Sequence, residues 1–90
     1  MDVRQAVDLA KTHVAELFAK EGLINLGLEE VEYVDARDVW RITVGFSRAW
    51  DQQGSVASLL APARRTYKAV TIDNEGKVIS VKNRETADAA

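Results

Sequence analysis

Residues 65–82 constrain the fold of this chain more than any other stretch, because two runs rich in β-branched residues flank a short turn sequence. The turn residues tolerate backbone geometries that strands exclude, and they are Asp73, Asn74, Glu75 and Gly76. We expect Gly76 to take a positive φ, where a Cβ would clash. The stretch predicts an antiparallel β-hairpin at the end of the fold.

The composition is that of an ordinary globular domain, with 47% hydrophobic and 29% charged residues in a chain of 90. A chain of this length forms one domain, residues 1–90, for which one helix covering one sheet is the natural arrangement. The formal net charge of -2 lacks the positive field of DNA- and RNA-binding proteins. The chain has no cysteine, which excludes disulfides and cysteine-based metal sites.

Nothing in the sequence predicts membrane insertion or export. No apolar run approaches the roughly 20 residues needed to cross a bilayer, and the first residues are amphipathic rather than signal-like. We therefore expect a cytoplasmic protein, unless a leader has been removed from it, with no membrane partner.

Residues 2–21 carry the pattern of an amphipathic helix, with apolar residues recurring every three or four positions. The stripe consists of Val3, Val7, Ala10, Val14 and Leu17, widened by Ala6 and Phe18. Asp2 is suited to cap the first turn, and Gly22 to end the helix. The stripe is one-sided, so the helix needs an apolar surface to lie on.

Two further strands are predicted between the helix and the hairpin. Residues 29–34 contain three glutamates, which are typical of an exposed or edge strand, and residues 23–27 are expected to be a connector along the sheet edge. Residues 39–48 alternate strictly, with Trp40, Ile42, Val44 and Phe46 towards the helix and Arg41, Thr43, Gly45 and Ser47 towards solvent. The order predicts an α+β fold, one N-terminal helix packed on a four-stranded antiparallel sheet (α-β-β-β-β).

This order resembles the PepSY-type domains and, more broadly, the cystatin-like α+β fold. The resemblance rests on the leading helix, the strand that begins at Trp40, and the hairpin in which Ile72 and Asp73 precede a glycine turn and Lys77. It covers most of the chain except residues 49–64, which exceed the usual family loop. The resemblance implies inhibition or protein binding and offers no catalytic residues; small bacterial immunity proteins have related shapes. Typical members are exported, and no leader is visible here.

Residues 49–64 are too long for a simple hairpin loop. They hold Trp50, a polar turn signal at residues 51–55, an apolar run at residues 56–61, and the only proline, Pro62. Two structures fit: a long twisted β-arm that turns at residues 53–54, or a flexible loop with a helical turn at residues 58–61. The central position of the turn signal favours the arm. The tail, residues 84–90, is expected to fray.

Few residues suggest catalysis. His13, the only histidine, lies at the border of the helix stripe, and no nucleophile or metal partner is legible around it, so we interpret it as a boundary residue. One histidine without cysteine makes a poor metal site. The acidic stretch shows no sign of burial and comprises Glu29, Glu30, Glu32, Asp35 and Asp38. We predict no enzymatic activity, no metal and no cofactor.

The cations beside the central strands allow two interpretations. They bind an acidic partner or a phosphate, or they pair across the sheet with Glu30 and Glu32, which we favour. The set comprises Arg37, Arg41, Arg48, Arg64, Arg65 and Lys68. The lack of interleaved exposed aromatic residues argues against RNA binding.

Trp50 is the candidate partner anchor. Its position continues the alternation of Trp40, Ile42, Val44 and Phe46, at a point beyond the reach of the helix. It therefore either caps the end of the core or anchors an interface, where tryptophan is enriched. The predicted partner-binding set is Trp50, Val56, Leu59, Leu60, Arg48, Arg64 and Arg65. The predicted function is a non-catalytic protein-binding module (an inhibitor, immunity or assembly factor) whose partner is another protein or a second copy. The alternative is a small-ligand or enzymatic pocket between helix and sheet, lined by Tyr33, Trp40 and Tyr67.

Overall fold

A computed structural model describes residues 1–48 and 65–84, and every structural statement below concerns those residues. The elements are α1 (Val3–Leu17), a 3-10 turn (Ala19–Glu21), β1 (Leu23–Val34), a second 3-10 turn (Asp35–Arg37), β2 (Val39–Arg48), β3 (Thr66–Asp73) and β4 (Val78–Asn83). The strands form one antiparallel sheet in the order β1-β2-β3-β4, and α1 packs on one face of it. The predicted α+β fold is confirmed.

The helix begins with a capping box. The Asp2 carboxylate accepts a hydrogen bond from the Gln5 amide at 2.9 Å, and the Gln5 side chain accepts one from the Asp2 amide at 2.9 Å. The helix ends at Leu17, earlier than predicted, because Phe18 leaves helical geometry and packs against the core. A 3-10 turn follows, and Gly22 stops it at a left-handed φ of 64°.

The buried face of α1 is narrower than the predicted stripe. Ala6, Ala10 and Val14 are fully buried, whereas Val3 and Leu17 are 43% and 56% exposed. The prediction was wrong for these two residues, which lie at the two ends of the helix while its middle turns supply the core contacts. Small alanines at the contact allow the helix backbone to approach the sheet closely.

The prediction for the helix-facing side of β2 is confirmed in the core. Ile42, Val44 and Phe46 are fully buried, and they meet Val70 and Ile72 of β3. The Phe46 ring also lies 5.7 Å from the Phe18 ring, centroid to centroid.

Trp40 is only half-buried and packs at the margin of the core. Its ring lies 5.1 Å from the ring of Tyr33, its cross-strand neighbour on β1. The hydrophobic core therefore ends at this pair of aromatic residues.

The predicted start of β1 was wrong. The strand begins at Leu23 and not at Glu29, because residues 23–27, predicted as a connector, belong to it. The register with β2 shifts twice, between Ile24 and Gly27 and between Leu28 and Glu30, with one extra β1 residue each time. Each bulge moves the following side chains to the opposite face of the sheet. A period of two is therefore lost over the first half of the strand.

The terminal hairpin forms as predicted, with Gly76 at φ 88°. The Asp73 carboxylate accepts hydrogen bonds from the amides of Glu75 and Lys77, each at 2.9 Å, which closes the turn. A register shift in β4 allows both Val78 and Val81 to pack against the core, although residues three positions apart point to opposite faces of a regular strand.

The face of the sheet opposite α1 is called here the open face. It is less exposed to solvent than the alternation of β2 predicted. Thr43 and Ser47 are only 4% and 2% exposed. Thr43 is covered because Arg84 crosses the sheet above it and donates to its hydroxyl at 3.1 Å. The face is polar, but long side chains from distant positions cover its centre.

Candidate functional site

The predicted partner-binding residues divide into two groups. Trp50, Val56, Leu59, Leu60 and Arg64 lie outside the described residues, as do both candidate structures for residues 49–64. Arg48 and Arg65 are described: the first ends β2 and the second immediately precedes β3. The two arginines therefore bracket residues 49–64.

Arg48 lies on the helix side of the sheet. Its Nε donates to Glu21 Oε1 at 2.5 Å, and its Nη1 donates to Thr66 Oγ1 at 2.9 Å. The guanidinium also lies 5.2 Å from the centroid of the Phe46 ring, a cation–π contact. Arg48 thus joins the end of β2 to the turn after α1 and to the start of β3.

Arg65 lies on the open face and reaches across β2 to β1. Its Nη1 donates to the Asn25 carbonyl at 2.9 Å, its Nη2 donates to the Gly45 carbonyl at 3.1 Å, and its Nε lies 3.4 Å from Glu29 Oε1. Only a glycine at position 45 permits this path, because a Cβ there would lie 2.8 Å from Arg65 Nε. The side chain ties the start of β3 to two neighbouring strands.

Both arginines therefore hold the base of residues 49–64, one on each face of the sheet. Their contact with a partner stays a prediction. Within the domain, each guanidinium adds side-chain contacts to the strand pairing that already joins the end of β2 to the start of β3.

A groove on the open face, called here the cationic groove, gathers the other basic residues. It has a volume of about 530 Å³ and lies over β2, β3 and β4. Its described lining contains no carboxylate and comprises Arg37, Arg41, Lys82, Arg84, Val39, Ala69, Thr71, Ile79, Ser80 and Asn83. This arrangement can hold an anion between guanidinium, ammonium and hydroxyl groups.

Two of the four groove cations already have carboxylate partners. Arg41 pairs with Glu32, its cross-strand neighbour, at 3.2 Å, and Arg84 pairs with Glu30 at 2.5 Å. The favoured interpretation, pairing across the sheet, is confirmed for Arg41. Within the described residues Arg37 and Lys82 form no ion pair.

Lys82 and Arg84 are functional candidates that the sequence interpretation missed. Arg84 was assigned to the fraying tail, yet its amide donates to the Tyr67 carbonyl at 2.9 Å. The alternation Ser80, Lys82, Arg84 would have placed these side chains on one face, opposite Val81. Lys68, by contrast, lies on the helix side, with its Nζ 5.0 Å from the centroid of the Phe18 ring.

A second polar cluster joins the start of β2 to the hairpin turn. The Tyr33 hydroxyl donates to Asp38 Oδ1, the Asn74 amide donates to the same oxygen at 2.5 Å, and Trp40 Nε1 donates to Asn74 Oδ1 at 3.2 Å. The bond to Asp38 raises the pKa of Tyr33, since ionisation would remove the donated proton and place two negative charges together.

We expect Tyr33 to ionise above the ordinary tyrosine pKa of 10.0. The stabilisation from this bond is complete below the unfolded pKa and is lost as pH rises through the folded one, because the unfolded state releases its proton first. Phenolate absorbance during a pH titration, with Tyr67→Phe as background, would measure it. Asp38→Asn removes the charge while asparagine tolerates the left-handed backbone at this position, where φ is 55°. Equal ionisation midpoints with and without Asp38→Asn would contradict the assignment.

The pocket that the alternative function requires does not form from its three predicted residues. Tyr33 and Trp40 pair with each other on the helix side of the sheet. Tyr67 is the cross-strand partner of Gly45, and Gly45 belongs to the open face because the residues on either side of it, Val44 and Phe46, point towards the helix. The Tyr67 side chain therefore lies on the open face. The sheet itself therefore separates Tyr67 from the other two.

The remaining candidates do not assemble a reactive centre in the described part of the chain. His13 is half-buried, beside the buried Val14 on α1, which agrees with its predicted position at the border of the apolar stripe. Among residues 1–48 and 65–84 there is no group of three or more His, Cys, Asp or Glu side chains able to hold a metal ion. No helix in the same ranges has the length and apolar character needed to cross a membrane.

Comparison of the chain with protein-family models, with curated proteins and with solved structures finds no match.

Proposed function

We propose that this chain is a non-catalytic protein-binding module, an inhibitor, immunity or assembly factor that contacts its partner through residues 49–64 and the open sheet face. One observation carries the proposal. β2 and β3 are adjacent strands, paired continuously from Val39 opposite Asp73 to Phe46 opposite Thr66. Adjacent antiparallel strands need a connection of only about 2–5 residues. Residues 49–64 therefore exceed what the fold requires, which supports a functional role for them.

The contacts at the base of this segment support the same role. Arg48 and Arg65 hold its two ends from opposite faces of the sheet. A binding segment that leaves a fixed base loses less conformational entropy on association than one attached to loose ends. Its sequence supplies apolar groups typical of interface anchors, Trp50, Leu59 and Leu60.

Two further expectations belong to this proposal. The resemblance to PepSY-type and cystatin-like domains stays a prediction, and what it implies, inhibition or protein binding, agrees with the proposed role. We also propose that the protein acts in the cytoplasm.

Truncating the apolar residues of the segment is expected to abolish partner binding without unfolding the domain. Affinity capture from the native host would compare the wild-type protein with Trp50→Ala/Leu59→Ala. The matched control is Leu9→Ala/Leu17→Ala, which also removes two apolar side chains, 39% and 56% exposed, but on α1. Truncating an interface anchor costs about 2 kcal/mol or more, which is roughly 30-fold in affinity.

The proposal fails if both double variants capture the same proteins with unchanged affinity while their thermal melts match that of the wild type. Sedimentation over a concentration series separates the two kinds of partner. A mass of 9.9 kDa at every concentration would exclude a second copy of the chain, and a concentration-dependent increase would support it.

A further inference from the structure

We infer that the cationic groove binds an acidic, extended segment of a partner protein that lies along the edge strand β4. The inference rests on the proposed function, because it specifies the chemistry of the partner at the open sheet face. It depends on three observations: the charge of the groove, the exchangeable state of its ion pairs, and the difference between the two edges of the sheet.

The groove has a lining of cationic and apolar side chains that suits an acidic polypeptide. Four cations surround it, and Arg37 and Lys82 have no ion-pair partner within the described residues. Between the charges lie the apolar side chains of Val39, Ala69 and Ile79, of which Ile79 is 54% exposed. An extended peptide that alternates acidic and β-branched residues directs all its carboxylates to one face. That face can meet the cations of the groove.

The existing ion pairs do not prevent an incoming carboxylate from binding. The paired side chains of Arg41 and Glu32 are 47% and 51% exposed, and those of Arg84 and Glu30 are 39% and 52% exposed. Pairs this exposed contribute about 0–1 kcal/mol. A carboxylate from a partner can therefore replace or join the glutamates at little cost.

The two edges of the sheet differ in their capacity to accept another strand. β1 carries two bulges and three glutamates, features that discourage pairing at an edge. β4 contains no acidic residue and carries one bulge, between Val78 and Ser80, beyond which its pairing with β3 is regular from Ser80 to Asn83. An edge strand leaves every second N–H and C=O directed outwards, which is the basis of strand addition by extended peptides.

The same observations disfavour nucleic acid as the occupant. The chain has a formal net charge of -2, so long-range attraction to a polyanion is weak. The described lining of the groove includes no aromatic side chain on which a base would stack. An acidic polypeptide needs neither feature, because local carboxylate contacts and backbone pairing suffice.

A peptide titration followed by NMR tests the inference. The probe is a short synthetic peptide of alternating glutamate and threonine, and the control peptide has lysine at every glutamate position. We expect the glutamate peptide to shift the backbone amides of β4 and the groove, and the lysine peptide to leave them unchanged. Lys82→Glu and Arg37→Glu should each weaken binding of the glutamate peptide about tenfold or more, because each places like charges together.

Arg4→Glu is the matched control variant, because it makes the same change of charge at an exposed position on α1, away from the groove. It should bind the glutamate peptide like the wild type. If Arg4→Glu weakened binding of the glutamate peptide as much as the groove variants do, the effect would come from the net charge of the protein and the inference would be overturned. Groove shifts caused by pyrophosphate or a single-stranded oligonucleotide, with no response to the glutamate peptide, would overturn it as well.

The outcome can be separated from that of the proposed function. If the glutamate peptide fails and Lys82→Glu still captures every protein that the wild type captures, the inference is wrong and the binding role of residues 49–64 stands. If the glutamate peptide binds in the groove and Lys82→Glu loses the captured protein, the inference is supported. Thermal melts of Lys82→Glu and Arg37→Glu, two independent surface positions, exclude unfolding as the cause of a loss.

Discussion

Replacing Phe46 with alanine is expected to lower the free energy of unfolding by about 3–5 kcal/mol. The side chain is fully buried at the end of β2, where its ring meets Phe18 and carries the Arg48 guanidinium on one face. Its removal leaves a cavity under the helix and deprives Arg48 of its platform. Denaturant unfolding monitored by circular dichroism would measure the change as a lower midpoint.

Leu17→Ala is the control that makes this result informative. Leu17 belongs to the apolar stripe that the sequence predicts, but the structure leaves it 56% exposed. We therefore expect its truncation to change stability by no more than about 0.5 kcal/mol, whereas a buried leucine would cost about 2–5 kcal/mol. Equal losses for Phe46→Ala and Leu17→Ala would show that the helix does not pack on the sheet as described.

The parts of the fold that the sequence predicts are those in which local pattern and tertiary position agree. The apolar residues of β2 share the face that packs against the helix, so a period of two identifies the core residues Ile42, Val44 and Phe46 directly. The hairpin is encoded by Asp73, whose side chain closes the turn, and by Gly76 at positive φ. Both signals come from residues adjacent in sequence.

The first half of β1 was not predicted as a strand, because its two bulges interrupt the alternation of apolar and polar residues that identifies a strand. Asn25, at φ 56°, and Gly27 resemble the end of a connector, yet they lie within a continuous strand paired to β2. Bulges depend on the partner strand, and no periodicity in β1 alone reveals them. The burial of Thr43 escaped for a related reason, since Arg84 covers it from a position 41 residues away.

The candidate site was predictable in part. The length of residues 49–64 identifies them as an extension, and their partner-binding residues stay predictions. Arg48 and Arg65 were chosen for their charge, but their contacts within the domain depend on which strand ends the fold brings together. The alternation along β4 could have identified Lys82 and Arg84. They were missed because Arg84 was assigned to a fraying tail and Lys82 was not grouped with the cations of the central strands.

Arg65→Ala and Gly45→Ala are expected to destabilise the domain through the same contact. Arg65→Ala removes the hydrogen bonds to the carbonyls of Asn25 and Gly45, at a cost of about 1.5–3 kcal/mol for bonds from a charged donor. Gly45→Ala places a Cβ 2.8 Å from Arg65 Nε, so the guanidinium must leave its position, at a cost of about 1–3 kcal/mol.

Because either change removes the Arg65 contact, the double variant should cost close to the larger of the two single losses and not their sum. Gly27→Ala is the matched control, since its Cβ would lie 3.4 Å from Arg65 Nη2, an ordinary contact distance, and it should cost less than Gly45→Ala. Chemical unfolding of the four proteins in the cycle gives the coupling directly. Losses that add to within about 0.5 kcal/mol would show that Gly45 and Arg65 act independently. Strong coupling would establish that a glycine on β2 makes room for the arginine that holds the returning end of residues 49–64 against β1.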